Sequence, residues 1–232
     1  MKSPLDEGDW LVLDSVDSTQ DTAKSVMDEP IGVVFAHDQT AGRGRFGRGW
    51  ESAAGDSLTM SLIFRSYATH DEPWLVGMAV ALAVASYLGA RVQWPNDVVM
   101  GGKKVGGVLT ELLTAPGRSK VPVIGVGLNL NQIAFPPEIA GRATSILLAT
   151  GERRDARSVA EGVLAQVKAV PEPTDWNAIS QMWEEHDDTP GKQFRLPTGE
   201  LSVAVRVGEG GRLVCTVGDA ERSVMAAEAV GV

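Results

Sequence analysis

One cysteine and three histidines are all that the 232 residues supply. Cys215 has no partner for an internal disulfide, and its place in the alternating run Leu213–Val217 suggests a buried thiol in a strand. His37, His70 and His186 show no metal-ligand spacing, so no protein-held metal site is expected. Basic residues are also scarce: 21 Lys and Arg against 30 Asp and Glu give a net charge of -9. That balance argues against nucleic acid, whose affinity grows with the number of phosphates neutralised. Met1 to Trp10 lacks a basic segment leading into an apolar run, so no secretory signal is expected and the cytoplasm is the default location. The one long uncharged run, Pro73 to Ala90, is alanine-rich, opens on proline and has no basic flanks. It suggests a helix buried against a sheet, not a membrane span.

The chain is 44% hydrophobic, enough for a sizeable core. Strands are expected over Trp10–Leu13, Ile31–Ala36, Ser57–Phe64, Val92–Trp94, Lys104–Leu113 and Val121–Leu130. Helices are expected from Ser18 or Thr19 to about Met27, over the apolar run with Asp71 as its cap, and over Asp155–Val170 and Thr174–His186. Charge and proline near Asp187–Gly191 mark a break, followed by short strands at Phe194–Leu196, Leu201–Val207 and Leu213–Val217. The expected class is α+β, a mixed sheet with packed helices over residues 1–188, plus a small β barrel over 189–232.

The most informative stretch is Gly42-Arg43-Gly44-Arg45-Phe46-Gly47-Arg48-Gly49-Trp50, with three guanidinium groups on a glycine-rich backbone. Arginine presents a permanently charged fork of donors suited to carboxylate and phosphate oxygens. The glycines suggest a loop that a ligand orders. Gly42, Gly44 and Gly47 satisfy G-x-G-x-x-G, but the residues after Arg48 do not open a helix, as a dinucleotide site would require. Trp94-Pro95-Asn96-Asp97 could present two polar side chains at the end of a strand, or be an ordinary turn. Gly101 to Glu111 suggests a hairpin entering a strand with a lysine near its start. It is not a Walker A loop, because Asp97 stands at the position of that pattern's first glycine. Gly125 to Asn131 ends a further strand with amides that could reach a ligand or merely close a turn.

In order and spacing, Asp17-Ser18-Thr19-Gln20, Gln39, Gly42 to Arg48, Trp50, Trp94 to Asp97, Lys104-Val105-Gly106-Gly107 and Gly127-Leu128-Asn129 resemble the biotin protein ligases. The resemblance implies a catalytic domain like those of class II aminoacyl-tRNA synthetases and an SH3-like carboxy-terminal barrel. It implies condensation of biotin with ATP to biotinyl-5′-AMP, with Mg²⁺ arriving on the nucleotide. Biotin then passes to a lysine of a biotin carboxyl carrier protein or domain, in an acetyl-CoA, acyl-CoA or pyruvate carboxylase.

Residue by residue, it makes Lys104 and Arg45 catalytic. Ser18, Thr19, Gln20, Gln39, Gly42, Arg43, Gly44 and Gly107 join them around biotin. Arg43, Arg45, Arg48, Trp50, Asn96, Lys104, Asn129 and Asn131 hold the nucleotide. The family often has Asn at the position of Gln20, a basic residue at Phe46 and a small one at Asn131. No length is available for an amino-terminal winged helix-turn-helix, so the expectation is a ligase without DNA binding, a monomer or weak homodimer. A lipoate or octanoate ligase and a noncatalytic biotin-responsive protein are the alternatives; the arginine loop and Lys104-Val105-Gly106-Gly107 favour biotin ligation.

Overall fold

The computed structural model describes residues 1–52, 54–114, 120–225 and 230–231. Its centre is a sheet of seven strands: β1 (Asp9–Val16), β2 (Ile31–Gln39), β5 (Ser57–Ile63), β6 (Arg91–Gln93), β7 (Asp97–Met100), β8 (Lys103–Thr114) and β9 (Lys120–Asn129). A separate two-strand ribbon, β3 (Gly42–Arg43) and β4 (Gly49–Trp50), rises beside it. The spatial order is β1-β2-β5-β9-β8-β7-β6; β1 pairs with β2 in parallel and all other neighbours are antiparallel. The parallel pair is joined through helix α1 (Thr19–Ser25), which lies across one face of the sheet.

The two faces differ. One, carrying Phe35, Met60 and Val126, is buried under α2 (Trp74–Leu88) and α5 (Ala156–Val167). Every residue of α2 from Leu75 to Ala85 is buried, as its lack of a polar stripe required. Gly77 of α2 and Gly162 of α5 mark close approaches: an added Cβ would fall 1.9 Å from Thr110 Oγ1 and 2.1 Å from the Tyr87 ring, respectively. On the other face, Ala23, Val26 and Met27 cover Val34, Ile63 and Val123. Beyond that patch the second face is left open, and the cleft described below lies there.

Several expectations change. Asp71 does not cap α2; the cap position is Pro73, and no side chain bonds there. Helix α6 (Trp176–His186) begins two residues after Thr174, with the Asp175 carboxylate accepting from Ala178 N at 3.1 Å. Strand β7 and the short helices α3 (Pro137–Ala140) and α4 (Ile146–Thr150) are additional elements. At the carboxy terminus β10 (Gln193–Arg195), β11 (Leu201–Gly208) and β12 (Arg212–Val217) are joined by β13 (Ala220–Val224) and β14 (Val230–Gly231). Together they form a five-stranded antiparallel sheet, order β13-β12-β11-β10-β14, with Cys215 fully buried.

The hydrophobic core runs continuously from the main sheet into this smaller one. Trp94 stacks edge-on against Phe194 at 5.6 Å and donates Nε1–H to Gly211 O at 2.8 Å, while Trp74 Nε1–H reaches Gly210 O at 2.9 Å. Among the described residues no helix is long and apolar enough to cross a membrane.

The Gly77 contact yields a stability prediction. Gly77→Ala would stabilise an exposed helix, but here it should cost about 1–3 kcal/mol through overpacking. At 2–4 °C per kcal/mol, calorimetry should record a midpoint lower by roughly 2–12 °C; a higher midpoint would contradict the packing of α2 on Thr110.

Candidate functional site: a cleft over glycine-bare strands

The open face is bare because of its glycines. Strands β8 and β9 pair Gly107 with Gly127 and Leu109 with Gly125, and residues paired across a ladder direct their side chains to the same face. Gly107, Gly125 and Gly127 therefore leave backbone exposed where other residues would fill the space.

A bulge then supplies the lysine. The β7–β8 register pairs Val98 with Gly106 and Val99 with Lys104, leaving Val105 as one extra residue in β8. In an unbroken strand Lys104 and Gly107, three apart, would point to opposite faces. The extra residue brings them to the same face. Lys104 Nζ lies 3.3 Å from the point a Gly107 Cβ would occupy and 2.6 Å from Asp97 Oδ1. Gly106, on the reverse face, is needed because a Cβ there would come within 2.2 Å of Leu128. The Lys104 backbone is also pinned to the next segment, donating to Arg142 O and accepting from Thr144 N at 2.8 Å each.

At one end of the cleft, Gln20 of α1 lies over Gly125, where a Cβ would be 3.2 Å from its Cδ. Its Nε2 faces Leu109 O, Glu111 Oε2 and Val123 O at 3.3–3.4 Å, while Oε1 is buried without a hydrogen-bond partner. Beside it Gln39 Oε1 accepts from Thr19 N at 2.9 Å and Thr19 Oγ1 at 3.2 Å, and Ser61 Oγ donates to Thr19 Oγ1 at 2.9 Å. Gln39 thus serves the first helical N–H of α1. Ser18 occupies the cap position but makes no capping bond, so its buried hydroxyl is not committed to the helix.

Over the middle of the cleft the Trp50 ring rests on Gly127, so closely that a Cβ there would be 2.6 Å from Cε2. Trp50 Nε1 is buried and unpartnered, and Lys104 Nζ sits 6.0 Å from the indole centroid.

The arginine stretch forms a hairpin. Gly42 pairs with Trp50 and Arg43 with Gly49, Gly44 N donates to Arg48 O at 2.7 Å, and the chain turns at Phe46 and Gly47 with φ of 58° and 70°. Arg43 grips Asp21 with two bonds of 2.5 and 2.8 Å and has Glu111 at 3.7 Å. The Asp21 bond raises the Arg43 pKa and lowers that of the carboxyl. Arg45 reaches Asn96 Oδ1 at 3.4 Å; burial lowers its pKa, with the Asp97 charge acting in the opposite direction. Arg48 is exposed at the rim.

Ser18, Thr19, Gln20, Gln39, Arg43, Arg45, Arg48, Trp50 and Lys104 line one cleft of about 1040 Å³, together with Asn96, Asn129, Gly44 and Gly107. Asn96 Nδ2 donates to Val108 O at 2.6 Å and Asn129 Nδ2 to Thr144 O at 3.0 Å. Two expected members lie outside it. Gly42 is backed by Gln39 Nε2 and Trp50 O, 2.4 and 2.5 Å from where its Cβ would be, so the glycine serves the hairpin's packing. The Asn131 side chain is spent on backbone: Nδ2 donates to Gly55 O and Arg154 O at 2.8 and 2.9 Å, and Oδ1 accepts from Arg154 N at 2.9 Å. Sequence reasoning assigned no role to Asp97, Asp21 or Glu111, the carboxylates that hold Lys104 and Arg43. Acidic residues are common here, and only the fold tells these from solvated ones.

A buried pocket of amides at one end, and a lysine with arginines along the middle and rim, give the cleft hydrogen-bonding groups and positive charge on one face. Comparison with known proteins gives the family. The family model described as Biotin/lipoate A/B protein ligase family matches residues 12–129. The biotin–acetyl-CoA-carboxylase ligase of Mycobacterium tuberculosis is 30% identical over 266 aligned residues, 99% of this chain and 97% of the relative.

The bifunctional ligase/repressor BirA of Bacillus spizizenii is 38% identical over 162 residues, 65% of this chain and 50% of that protein, so the match spans half of the Bacillus relative. Among solved structures, the biotin protein ligase of Aquifex aeolicus in complex with biotin and ATP superposes with a TM-score of 0.76 at 26% identity, covering 97% of this chain and 98% of that one. The chain belongs to the biotin/lipoate A/B protein ligase family.

The seat of Trp50 is open to test. Gly127→Ala should lift the ring off β9 and shift one of the six indole N–H resonances, with the other five nearly unmoved. An unshifted set would mean that the indole does not rest on Gly127.

Proposed function

We propose that the protein is a biotin protein ligase, with residues 1–188 as its catalytic domain and 189–232 as a small appended domain. A biotin carboxylate oxygen attacks the α-phosphorus of ATP, pyrophosphate leaves, and biotinyl-5′-AMP forms. An acceptor lysine amine then attacks the acyl carbon and AMP departs. The partner is a biotin carboxyl carrier protein or domain of an acetyl-CoA, acyl-CoA or pyruvate carboxylase, met in the cytoplasm by a monomer or weak homodimer. The names of the Mycobacterium relative and the Aquifex complex support this reading.

The observation that carries it is the position of Lys104. Its ammonium lies on the cleft face over the Gly107–Gly127 rung, beside the Trp50 ring and one rung from the buried Gln20 pocket. The first step forces a carboxylate against a phosphate, and a fixed cation between them offsets their repulsion and the charge developing in the transition state. Arg45 and Arg48 add positive charge along the phosphate path, and Arg43 closes the ring end. Ser18, Thr19, Gln20 and Gln39 present donors and acceptors for the ureido ring, whose groups all need partners once buried. Trp50 offers a face for stacking. Mg²⁺, when bound, would be held chiefly by the triphosphate oxygens.

Purified protein should release pyrophosphate with biotin, ATP and Mg²⁺, and should label a carrier domain. Lys104→Gln should cut the biotin-activation rate about 10²–10³-fold, the usual effect of losing one preorganised electrostatic contact. Its melting midpoint should stay within a few degrees, since the side chain is 38% exposed. Unchanged turnover would remove Lys104 from the chemistry, and turnover with lipoate but not biotin would assign the protein to the other branch of the family.

A further inference from the structure

We infer that Glu111 is a positioning residue for the ring end of the cleft, fixing the Gln20 carboxamide in one of its two flips. The inference rests on the ligase reading above and adds to it a residue that acts through Gln20. Its basis is the run of side chains along one face of β8. Gly107, Leu109, Glu111 and Leu113 alternate onto that face, and their partners on β9 are Gly127, Gly125, Val123 and Val121. Leu113, Val123 and Val121 belong to the apolar patch that α1 covers. Glu111 is therefore a carboxylate set between two leucines and opposite a valine, where an apolar residue would pack.

That carboxylate serves two groups brought over the face. Glu111 Oε2 accepts from Gln20 Nε2 at 3.3 Å and lies 3.7 Å from Arg43 Nη2. Leu109 O and Val123 O face the same Nε2 at 3.4 Å. With oxygens on every side, this end of the amide must carry the hydrogens, and a flip would set Oε1 against all of them. The carboxylate is the only charged acceptor among them and so the strongest. Arg43 fixes the carboxylate in turn: both of its hydrogen bonds go to Asp21, the residue after Gln20, and its charge draws Glu111 Oε2 toward the same corner.

A side chain that receives a small polar ring has to offer its donors and acceptors in a fixed order, and a carboxamide free to turn offers either. Gln20 and Arg43 line the cleft, whereas Glu111 does not. Glu111 thus removes the freedom of Gln20 from behind the cleft wall, out of reach of the ligand.

The test follows biotin activation and calorimetric biotin binding in Glu111→Leu and Glu111→Gln, each alone and combined with Gln20→Ala. Glu111→Leu should raise the KM and Kd for biotin about tenfold, the effect of losing one hydrogen bond to a charged group. The KM for ATP, and kcat at saturating biotin, should stay within about twofold. Glu111→Gln keeps an oxygen for Gln20 and should recover most of the loss. In the Gln20→Ala background Glu111→Leu should add less than about twofold, because the group it positions is gone. Glu111→Ala, made alongside, removes the same acceptor without added bulk, so the comparison does not depend on one variant folding. Losses that multiply in the double variant, an equal rise in the KM for ATP, or an unmoved KM for biotin would overturn the role of Glu111 while leaving the ligase intact. Failure of the unaltered protein to activate biotin would overturn the ligase reading and this inference with it.

Discussion

One extra residue in one strand organises the site. Val105 breaks the β7–β8 register, and without that break Lys104 would point into the face packed against α2, where a lysine would be buried without a counterion. The bulge cannot exist alone. Gly106 has to be side-chain-free to clear Leu128, and Gly107 has to be so to leave space beneath the lysine amine. The same absence of side chains on β9 seats Gln20 at Gly125 and Trp50 at Gly127. A strand interior normally loses stability through glycine; here the loss is offset by the packing of groups brought over it from α1 and the arginine hairpin.

The cations of the cleft are held by carboxylates of this chain. Lys104 rests on Asp97, and Arg43 on Asp21 with Glu111 behind it. This is how an acidic protein keeps a cationic site in order. Each pair is partly exposed, and ion pairs at such positions contribute about 0–1 kcal/mol. An entering carboxylate or phosphate can take over the cation at little cost, because the partner it displaces returns to water. Arg45 differs: burial already disfavours its charge, so a neighbouring anion relieves more there than at the rim.

Much of the scaffold was legible in the sequence because local pattern decides it. Strands β2, β5, β8 and β9 were indicated by apolar runs, α2 by an uncharged one, and Cys215 by alternation. What was missed depends on partners distant in sequence. The bulge is a relation between Val98–Val99 and Lys104–Gly106, invisible in either segment alone. Asp71 is a good cap by type, yet Pro73 takes the position because α2 begins later. Asn131 and Gln132 are adjacent polar residues after a strand, and only the nearness of Gly55 and Arg154 decides that the first is structural. Helices α3 and α4, at 4 and 5 residues, are too short for periodicity to register.

The unpartnered polar atoms carry the argument further. Buried donors and acceptors in proteins almost always find partners, and each one left without costs about 1–3 kcal/mol. Among the described residues Gln20 Oε1, Trp50 Nε1 and Gln132 Oε1 are in that state on residues that line the cleft, and Trp183 Nε1 and Asp188 Oδ2 are in it elsewhere. Those of the cleft come from helix α1, the arginine hairpin and the segment after β9, so no single local distortion accounts for them. A core would have replaced such groups with apolar ones or paired them. Gln20 and Trp50 stand on adjacent rungs of the glycine-bare face, with Lys104 beside Trp50, so polar groups left without partners and a partly exposed cation share one short stretch of the cleft.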